Sequence, residues 1–229
     1  MKQATQIVTK QTIDKVNVKQ IVVDIKALFK GLVLISNILP ILTGLVLALH
    51  FTQSSVANNF SAIIFTLFGG TLLMAGALVL NNWFDADIDA MMHRTRHRPT
   101  VTGHFSLRLV FRTGVILSIL GLFLLTFTTL ETTIYGFIGW FTYVILYTIW
   151  TKRKYTWNTI VGSVSGAVTP LIGWAAIAPT LDIIPIAMAL ILFIWQMPHT
   201  YAIAIKKRDE YKLVGVKMLP VTHGIWGAT

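Results

Sequence analysis

Residues 60–80 read FSAIIFTLFGGTLLMAGALVL, and residues 81–89, NNWFDADID, follow without a break. The first stretch carries no charge and is long enough to cross about 30 Å of hydrocarbon as an α-helix. Asn81, Asp85 and Asp89 then follow at intervals of four, which places their side chains on one face of a continuing helix. Carboxylates at bilayer depth are costly unless a cation neutralises them. We therefore expect a positive partner against these three residues, called the stripe below.

The composition of the whole chain is that of a membrane protein. Of its 229 residues, 55% are hydrophobic and 12% are charged, whereas soluble domains carry about 25% charged residues. The absence of cysteine excludes disulfides, thiol catalysis and thiolate metal sites. A net charge of +10 could indicate nucleic-acid binding. The distribution of the basic residues along the chain, described below, favours another explanation.

Apolar segments of about 20 residues predict an all-α fold, a polytopic membrane helical bundle with six transmembrane helices. The predicted spans are 31–51, 60–80, 113–130, 133–151, 159–179 and 183–205. Residues 18–30 alternate apolar and charged side chains at helical spacing, which predicts an interfacial helix. The expected organisation is a cytoplasmic segment over 1–30 and a membrane domain over 31–229.

The basic residues fix the expected orientation. All nineteen Lys and Arg residues lie on the same side of the predicted spans, in 1–30, 94–112, 152–154 and 206–217. The positive-inside rule makes this side cytoplasmic, so we expect a multi-pass protein of the cell membrane with a cytoplasmic N-terminus. The basic charge is thus explained by topology, and we expect no nucleic-acid partner. Asp209 and Glu210 fall on the same side as the stripe, which indicates a composite site.

The stripe and the segment after it carry the chemistry of a diphosphate site. Two carboxylates and an amide are hard oxygen ligands that suit Mg²⁺, which proteins often hold together with substrate phosphates. Residues 94–98 are rich in Arg, and Arg98, held by Pro99, offers a planar fork of donors for phosphate oxygens. Two alternatives remain open. The arginines could act only as the positive residues that fix the orientation in the membrane, and the stripe could be a helix end whose acidic side chains are solvated.

The sequence resembles the UbiA-type intramembrane prenyltransferases. The stripe followed by Arg94-x-Arg96-His97-Arg98-Pro99 resembles the first motif of that family. Three further stretches resemble its haem-modifying branch: residues 147–153 (YTIWTKR), 166–174 (GAVTPLIGW) and 195–199 (WQMPH), the last continuing to 206–211 (KKRDEY). The resemblance runs from about residue 30 to the end of the chain.

The resemblance implies a catalytic and metal site. Asn81, Asp85 and Asp89 would hold Mg²⁺ and diphosphate, and Asp209, in the second acidic region of the family, would complete the metal site from another helix end. Further residues are candidates for substrate binding: Arg98, Lys152 and Lys206 for the diphosphate, His199 for haem, and Asn158 as a cavity-lining amide. From the residues alone, Asn158 has an equal claim to tie helices together, and His199 to be an ordinary histidine at a proline-kinked helix end.

The resemblance also implies substrates and partners. Farnesyl diphosphate would give its farnesyl group to a vinyl group of haem b, water would complete the new side chain, and the product would be haem O. Haem b is then a substrate rather than a cofactor. Haem A synthase or a terminal oxidase assembly would be the partner that receives the product, and the lipid bilayer would surround the enzyme.

The chain departs from the family pattern at two places. The family continues with about three more helices beyond Thr229, so we expect a C-terminally incomplete domain that is inactive or unstable by itself. The second acidic region reads Asp209-Glu210 instead of two acids four residues apart. Two other functions are compatible with the stripe: prenylation of a quinone precursor, and cation binding in a transporter or an inactive truncated form.

Overall fold

The computed structural model describes residues 18–224, and all regular structure in this range is helical. The elements are α1 Val18–Leu28, α2 Gly31–Phe51, α3 Phe60–Phe84, α4 Ala86–Met91, α5 Pro99–Thr102, α6 Leu107–Leu125, α7 Leu130–Phe141, a π-helix Thr142–Thr151, α8 Asn158–Ala167, α9 Thr169–Ala175, α10 Ile183–Lys206, α11 Arg208–Leu213 and α12 Leu219–Thr222. The predicted all-α membrane bundle is confirmed. The predicted segment at residues 1–17 lies outside the described range.

Within residues 18–224, five helices are long and apolar enough to cross a membrane: α2, α3, α6, α10, and α7 together with the π-helix. They correspond to five of the six predicted spans. The largest difference in a boundary is at α6, which begins at Leu107 instead of residue 113. Its start is fixed by Ser106, whose hydroxyl accepts a hydrogen bond from the Leu109 N–H at 3.3 Å and so caps the first turn.

The remaining predicted span, 159–179, is divided into α8 and α9, which meet at Val168. Pro170 causes the division, because it has no N–H to donate to the carbonyl four residues earlier and its ring crowds that carbonyl. The freed Gly166 carbonyl instead accepts the Thr169 hydroxyl at 2.6 Å. The six-helix prediction therefore holds as five continuous helices and one broken one.

Small residues bring two pairs of helices into backbone contact. A Cβ atom on Gly121 of α6 would lie 2.7 Å from the Gly69 carbonyl oxygen of α3, and one on Gly173 of α9 would lie 2.9 Å from the Leu45 amide nitrogen of α2. Both distances are too short for a side chain. Close approach of this kind is how transmembrane helices associate.

The fourth span changes from α to π geometry at Thr142. The Thr151 hydroxyl donates to the Leu146 carbonyl at 2.8 Å, and the Lys152 N–H donates to the Tyr147 carbonyl at 2.9 Å. The second bond joins backbone groups five residues apart, as in a π-helix, and the first spans the same distance in sequence from a side-chain hydroxyl. Such stretches are frequent at functional sites, and this one ends directly at Lys152.

Three aromatic side chains surround the turn after the π-helix. The rings of Trp150, Tyr155 and Trp157 all contact one another, with centroids 5.0–6.1 Å apart. All three side chains are exposed in the protein. Amphipathic rings of this type settle at the headgroup level of a membrane, so this aromatic triad marks the membrane boundary beside Lys152 and Arg153.

Helix α1 lies against the start of the bundle. It exposes Val18, Val22 and Ile25, as expected for a helix on a membrane surface. Its buried Asp24 accepts hydrogen bonds from the Gln20 side chain at 2.9 Å and pairs with Nδ1 of His104 at 2.8 Å. These contacts fasten α1 to the turn that precedes α6.

Candidate functional site

The three stripe residues lie together at one end of the bundle and are almost fully buried. Asn81 is 2% exposed, Asp85 1% and Asp89 3%. Asn81 lies near the end of α3, Asp85 at the junction of α3 and α4, and Asp89 in α4. The α3–α4 break at Asp85 is slight, because Asp85 N–H still donates to the Asn81 carbonyl at 3.0 Å and Asp89 N–H to the Asp85 carbonyl at 2.8 Å. The predicted single face is therefore preserved.

Each stripe residue has a different basic side chain as its nearest charged partner. Lys30, between α1 and α2, donates to Asn81 Oδ1. Lys152, at the end of the π-helix, pairs with Asp85, and Arg98, just before α5, pairs with Asp89. Three separate segments thus bring their positive charges to the stripe. The expected positive partner of the stripe is thus present. Two of these basic residues, Arg98 and Lys152, are ones that the resemblance assigns to the diphosphate.

Arg153 adds a fourth basic group. Its guanidinium donates to both carboxylate oxygens of Asp87 at 2.7 Å and to the Phe84 carbonyl at 2.8 Å, and it lies 3.6 Å from Asp85. Its hydrogen bonds lower the pKa of Asp87 and raise that of Arg153 itself. Arg153 therefore holds the turn after α3 through Asp87 and Phe84, while Lys152 pairs with the buried Asp85.

The site contains more basic than acidic groups. Three carboxylates, Asp85, Asp87 and Asp89, face the four basic side chains described above. Desolvation lowers the pKa of Lys30 to about 7, and the positive charges of Arg98 and Lys152 act in the same direction. A cluster in which cations crowd one another is suited to an additional anion.

The donor set fits a magnesium ion. Asp85 Oδ1 is buried and accepts no hydrogen bond, so it has an unused lone pair in a polar site. Asn81 and Asp89 supply further hard oxygens of the kind Mg²⁺ prefers. Among residues 18–224 no group of three or more His, Cys, Asp or Glu side chains is close enough to hold a metal. An ion here would therefore depend on the stripe together with oxygens of a bound ligand.

Two further predicted site residues lie at the junction of α10 and α11. Asp209 and Lys206 are exposed, at the start of α11 and the end of α10. The structure does not bring Asp209 into a metal-binding group with the stripe. Its neighbour Glu210 pairs with Lys207 at 2.8 Å, which lowers the pKa of Glu210. The contribution of Asp209 to a metal site with the stripe stays a prediction.

Asn158 is held by backbone groups. Its side-chain Nδ2 donates to the carbonyls of Tyr155 at 2.8 Å, Lys217 at 2.9 Å and Lys152 at 3.2 Å, and the residue is 1% exposed. It thereby connects the turn after the π-helix to the segment between α11 and α12. Of the two roles considered for Asn158 from the sequence, these contacts favour the one that joins segments of the fold.

Beneath the stripe, the bundle contains a mainly apolar, partly open cavity of about 80 Å³. Its walls include Val33 of α2, Ala77 of α3 and Tyr143 of the π-helix. Val33 and Ala77 lie about one turn from Lys30 and Asn81, so the cavity begins directly below the polar cluster. An apolar chain attached to a bound anion has a path into the bundle here.

A larger groove of about 690 Å³ runs between α2, the α8–α9 kink and α10. His199 and Trp195 line it, with their rings stacked at 4.7 Å and 13°. Gln196 also lines it and lies close to Gly166. Val33, Asn37 and Thr169 line both the groove and the apolar cavity, so the two spaces adjoin. His199 therefore faces a wide space that is separate from the stripe.

Two contacts of the site were not predicted from the sequence. The positive-inside rule alone accounts for a basic residue at the positions of Lys30 and Arg153. Their contacts with the stripe and its turn were therefore not expected from the sequence. A signal existed for Arg153, since it directly follows Lys152. For Lys30 the only signal was its position immediately before the first apolar run.

The protein is thus a helical membrane bundle with a buried carboxylate stripe, surrounding basic groups and an adjoining apolar cavity. Residues 37–229 match the UbiA prenyltransferase family, and the chain belongs to that family. It is 52% identical over 202 residues to a protoheme IX farnesyltransferase of Oceanobacillus iheyensis, and 53% identical over 203 residues to one of Bacillus thuringiensis. Each match covers 88% of this chain. The chain spans 64% and 66% of the lengths of these two relatives.

Solved structures share the fold. A UbiA homologue from Archaeoglobus fulgidus bound to GPP and Mg²⁺ gives a TM-score of 0.75 at 17% identity, and the same homologue bound to DMAPP and Mg²⁺ gives 0.73 at 16%. Both comparisons cover 90% of this chain and 71% of the other. A structure of digeranylgeranylglyceryl phosphate synthase gives 0.65 at 20% identity, covering 91% and 71%.

Proposed function

We propose that the protein transfers the farnesyl group of farnesyl diphosphate to a vinyl group of haem b and so forms haem O. The observation that carries this proposal is the polar cluster over an apolar cavity, where four basic groups face three carboxylates. An allylic diphosphate has a matching shape, with a polyanionic head and an apolar tail. The names of the relatives supply the acceptor.

The first step breaks the bond between farnesyl C1 and the diphosphate oxygen, and both electrons leave with the diphosphate. Lys152 and Arg98 lie where they can donate hydrogen bonds to that leaving group and stabilise the charge that develops on it. Mg²⁺, bound by Asn81, Asp85 and Asp89, would supply further neutralisation of the diphosphate. The farnesyl cation forms over the apolar cavity, where water is scarce.

The second step joins farnesyl C1 to the terminal vinyl carbon of haem, as the vinyl π electrons form the new C–C bond. A water oxygen then bonds to the inner vinyl carbon and loses a proton, which leaves the hydroxyethylfarnesyl side chain. The groove beside the cavity has a volume of about 690 Å³, and His199 with its stacked Trp195 forms an aromatic wall for a planar macrocycle. We assign His199 to contact with haem.

The setting of the reaction is also part of the proposal. We place the protein in the cell membrane with a cytoplasmic N-terminus, because the basic residues fall on one side of the spans. Haem O released into the bilayer would pass to haem A synthase or to a terminal oxidase assembly.

The test is product formation by the protein in lipid nanodiscs with farnesyl diphosphate, Mg²⁺ and haem b, measured by mass spectrometry of the extracted haem. The expected product is haem b plus one farnesyl group and one hydroxyl group. Asp85→Asn should abolish it, and Asp182→Asn, the same change at an exposed helix cap on the other side, should not. Prenylation of a quinone precursor in place of haem would refute the acceptor, and full activity of Asp85→Asn would refute the site.

A further inference from the structure

The π-helix and the end of α3 make polar contacts at matching intervals. Asn81 Nδ2 donates to the Thr148 hydroxyl at 3.0 Å, and Asp85 pairs with Lys152. The partners of both pairs are 67 residues apart in sequence. A step of four residues along α3 therefore corresponds to a step of four along the π-helix, and the two segments run in the same direction. Thr148 is thus placed against Asn81 in the same way that Lys152 is placed against Asp85.

Thr148 is a neutral side chain that the bundle encloses completely. It is 0% exposed, and no step of the reaction proposed above uses it. Its hydroxyl oxygen accepts the hydrogen bond from Asn81, which is itself almost fully buried. A buried amide that loses such an acceptor has no water to replace it. The hydroxyl of Thr148 therefore determines how the Asn81 side chain can be oriented.

The orientation of the Asn81 amide decides which of its two ends faces the polar cluster. Nδ2 donates to Thr148 on the π-helix, so Oδ1 is directed to the basic groups, where the Lys30 ammonium donates to it. An ammonium can only donate, which agrees with an oxygen at this position. A carbonyl oxygen has two lone pairs, so Oδ1 can accept from Lys30 and still present a lone pair to a bound ion.

We propose that Thr148 is a positioning residue for the magnesium site, which holds the Nδ2 end of Asn81 so that Oδ1 faces the ion. Thr148 acts through Asn81 and contacts neither the ion nor the substrate. Without the hydroxyl, the amide can rotate and turn its N–H groups to the ion, which repel it. Partners that orient a metal ligand commonly contribute about tenfold or more to metal affinity. This inference rests on the proposed function for the presence of Mg²⁺ at the stripe.

The experiment measures the Mg²⁺ concentration that half-saturates pyrophosphate binding to the full chain in nanodiscs, by titration calorimetry. Thr148→Val keeps the shape of the side chain and removes the acceptor, so it should raise this concentration about tenfold or more. Thr148→Ser keeps the hydroxyl and should stay within about threefold of the wild type.

Ser118→Ala is the matched control, because it also removes a buried hydroxyl that accepts a side-chain N–H from another helix. Ser118 accepts from Trp140 Nε1 at 2.9 Å and does not contact the stripe. Loss of about 1 kcal/mol should lower the melting temperature of Ser118→Ala and of Thr148→Val alike, by about 2–4 °C. The half-saturating Mg²⁺ concentration should rise only in Thr148→Val.

A double-mutant comparison separates positioning of the amide from general support of the π-helix. In an Asn81→Ala background the amide is absent, so Thr148→Val should cause no further change in the half-saturating Mg²⁺ concentration. An equal change in that background would overturn the assignment, and so would a value for Thr148→Val within about twofold of the wild type.

The proposed function fails separately. If Thr148→Val weakens Mg²⁺ binding as expected but the wild type does not farnesylate haem b, Thr148 keeps its role and the acceptor is wrong. If the wild type binds pyrophosphate without any need for Mg²⁺, the metal site and the role of Thr148 both fall.

Discussion

Asn158→Leu is expected to destabilise the protein and to do so by loosening the turn that carries Lys152 and Arg153. The wild-type amide donates to the carbonyls of Tyr155, Lys217 and Lys152 at 2.8, 2.9 and 3.2 Å. Leucine has a similar volume and fills the space, but it leaves these carbonyls without their donor in a buried place. The loss is therefore one of hydrogen bonds and not of packing.

The magnitude follows from the number of hydrogens. An amide NH₂ has two, so it makes two good hydrogen bonds at a time although three carbonyls are within reach. Each contributes about 1 kcal/mol net, and burial of the deserted carbonyls adds to the cost, which gives about 2–3 kcal/mol. For a chain of this size that corresponds to a decrease in melting temperature of about 4–12 °C.

Thermal unfolding in nanodiscs, followed by circular dichroism, measures this decrease. Asn59→Ala is the matched control, because Asn59 donates only to the Ser55 carbonyl in a local turn and should cost about 0.5 kcal/mol. If Asn158 instead contacted substrate, Asn158→Leu would raise KM at an unchanged melting temperature. That outcome would refute the structural role given to this residue.

Three further predictions concern packing, charge and metal. Gly121→Val should lower the melting temperature by several degrees, because its Cβ would meet the Gly69 carbonyl oxygen at 2.7 Å; a melting temperature equal to that of the wild type would contradict the helix contact. The Arg153 hydrogen bonds lower the pKa of Asp87, so this ion pair stabilises the fold above about pH 4 and is lost as pH falls through the lowered pKa. Arg153→Gln should accordingly flatten the acid limb of melting temperature against pH, and an unchanged limb would show that the pair contributes nothing. Removal of Mg²⁺ with EDTA should weaken pyrophosphate binding about tenfold or more in the wild type and have little effect in Asp85→Asn; equal losses in both would place the ion elsewhere.

The stripe was predictable because it depends only on the spacing of neighbouring residues in one helix. Spacing of four puts Asn81, Asp85 and Asp89 on one face whatever the rest of the chain does, and the cost of burying two carboxylates requires basic partners. The resemblance named Arg98 and Lys152 as diphosphate contacts, and the structure pairs both of them with the stripe. Lys30 was not named, because its contact with Asn81 spans 51 residues and depends on how α1 joins α2.

Other features depended on contacts that no sequence period encodes. Pro170 was a visible signal for the break between α8 and α9, and hydropathy concealed it because a broken span is as apolar as a continuous one. The π-helix from Thr142 gives no such signal, since its residues are as apolar as those of an ordinary transmembrane α-helix. Asn158 was rightly expected to need partners, but only the fold shows that they are backbone carbonyls. The expected approach of Asp209 to the stripe remains a prediction from family resemblance.

The aromatic triad of Trp150, Tyr155 and Trp157 has a consequence for how the protein responds to its bilayer. Rings anchored at the headgroup level hold the adjoining chain at a constant depth, and the first residues after Trp150 include Lys152 and Arg153. In a thicker or thinner membrane the mismatch must then be absorbed at the opposite ends of the helices, by tilt or by local deformation of the lipid. The polar cluster would keep its distance from the water interface, and its affinity for a diphosphate head should vary little with acyl-chain length.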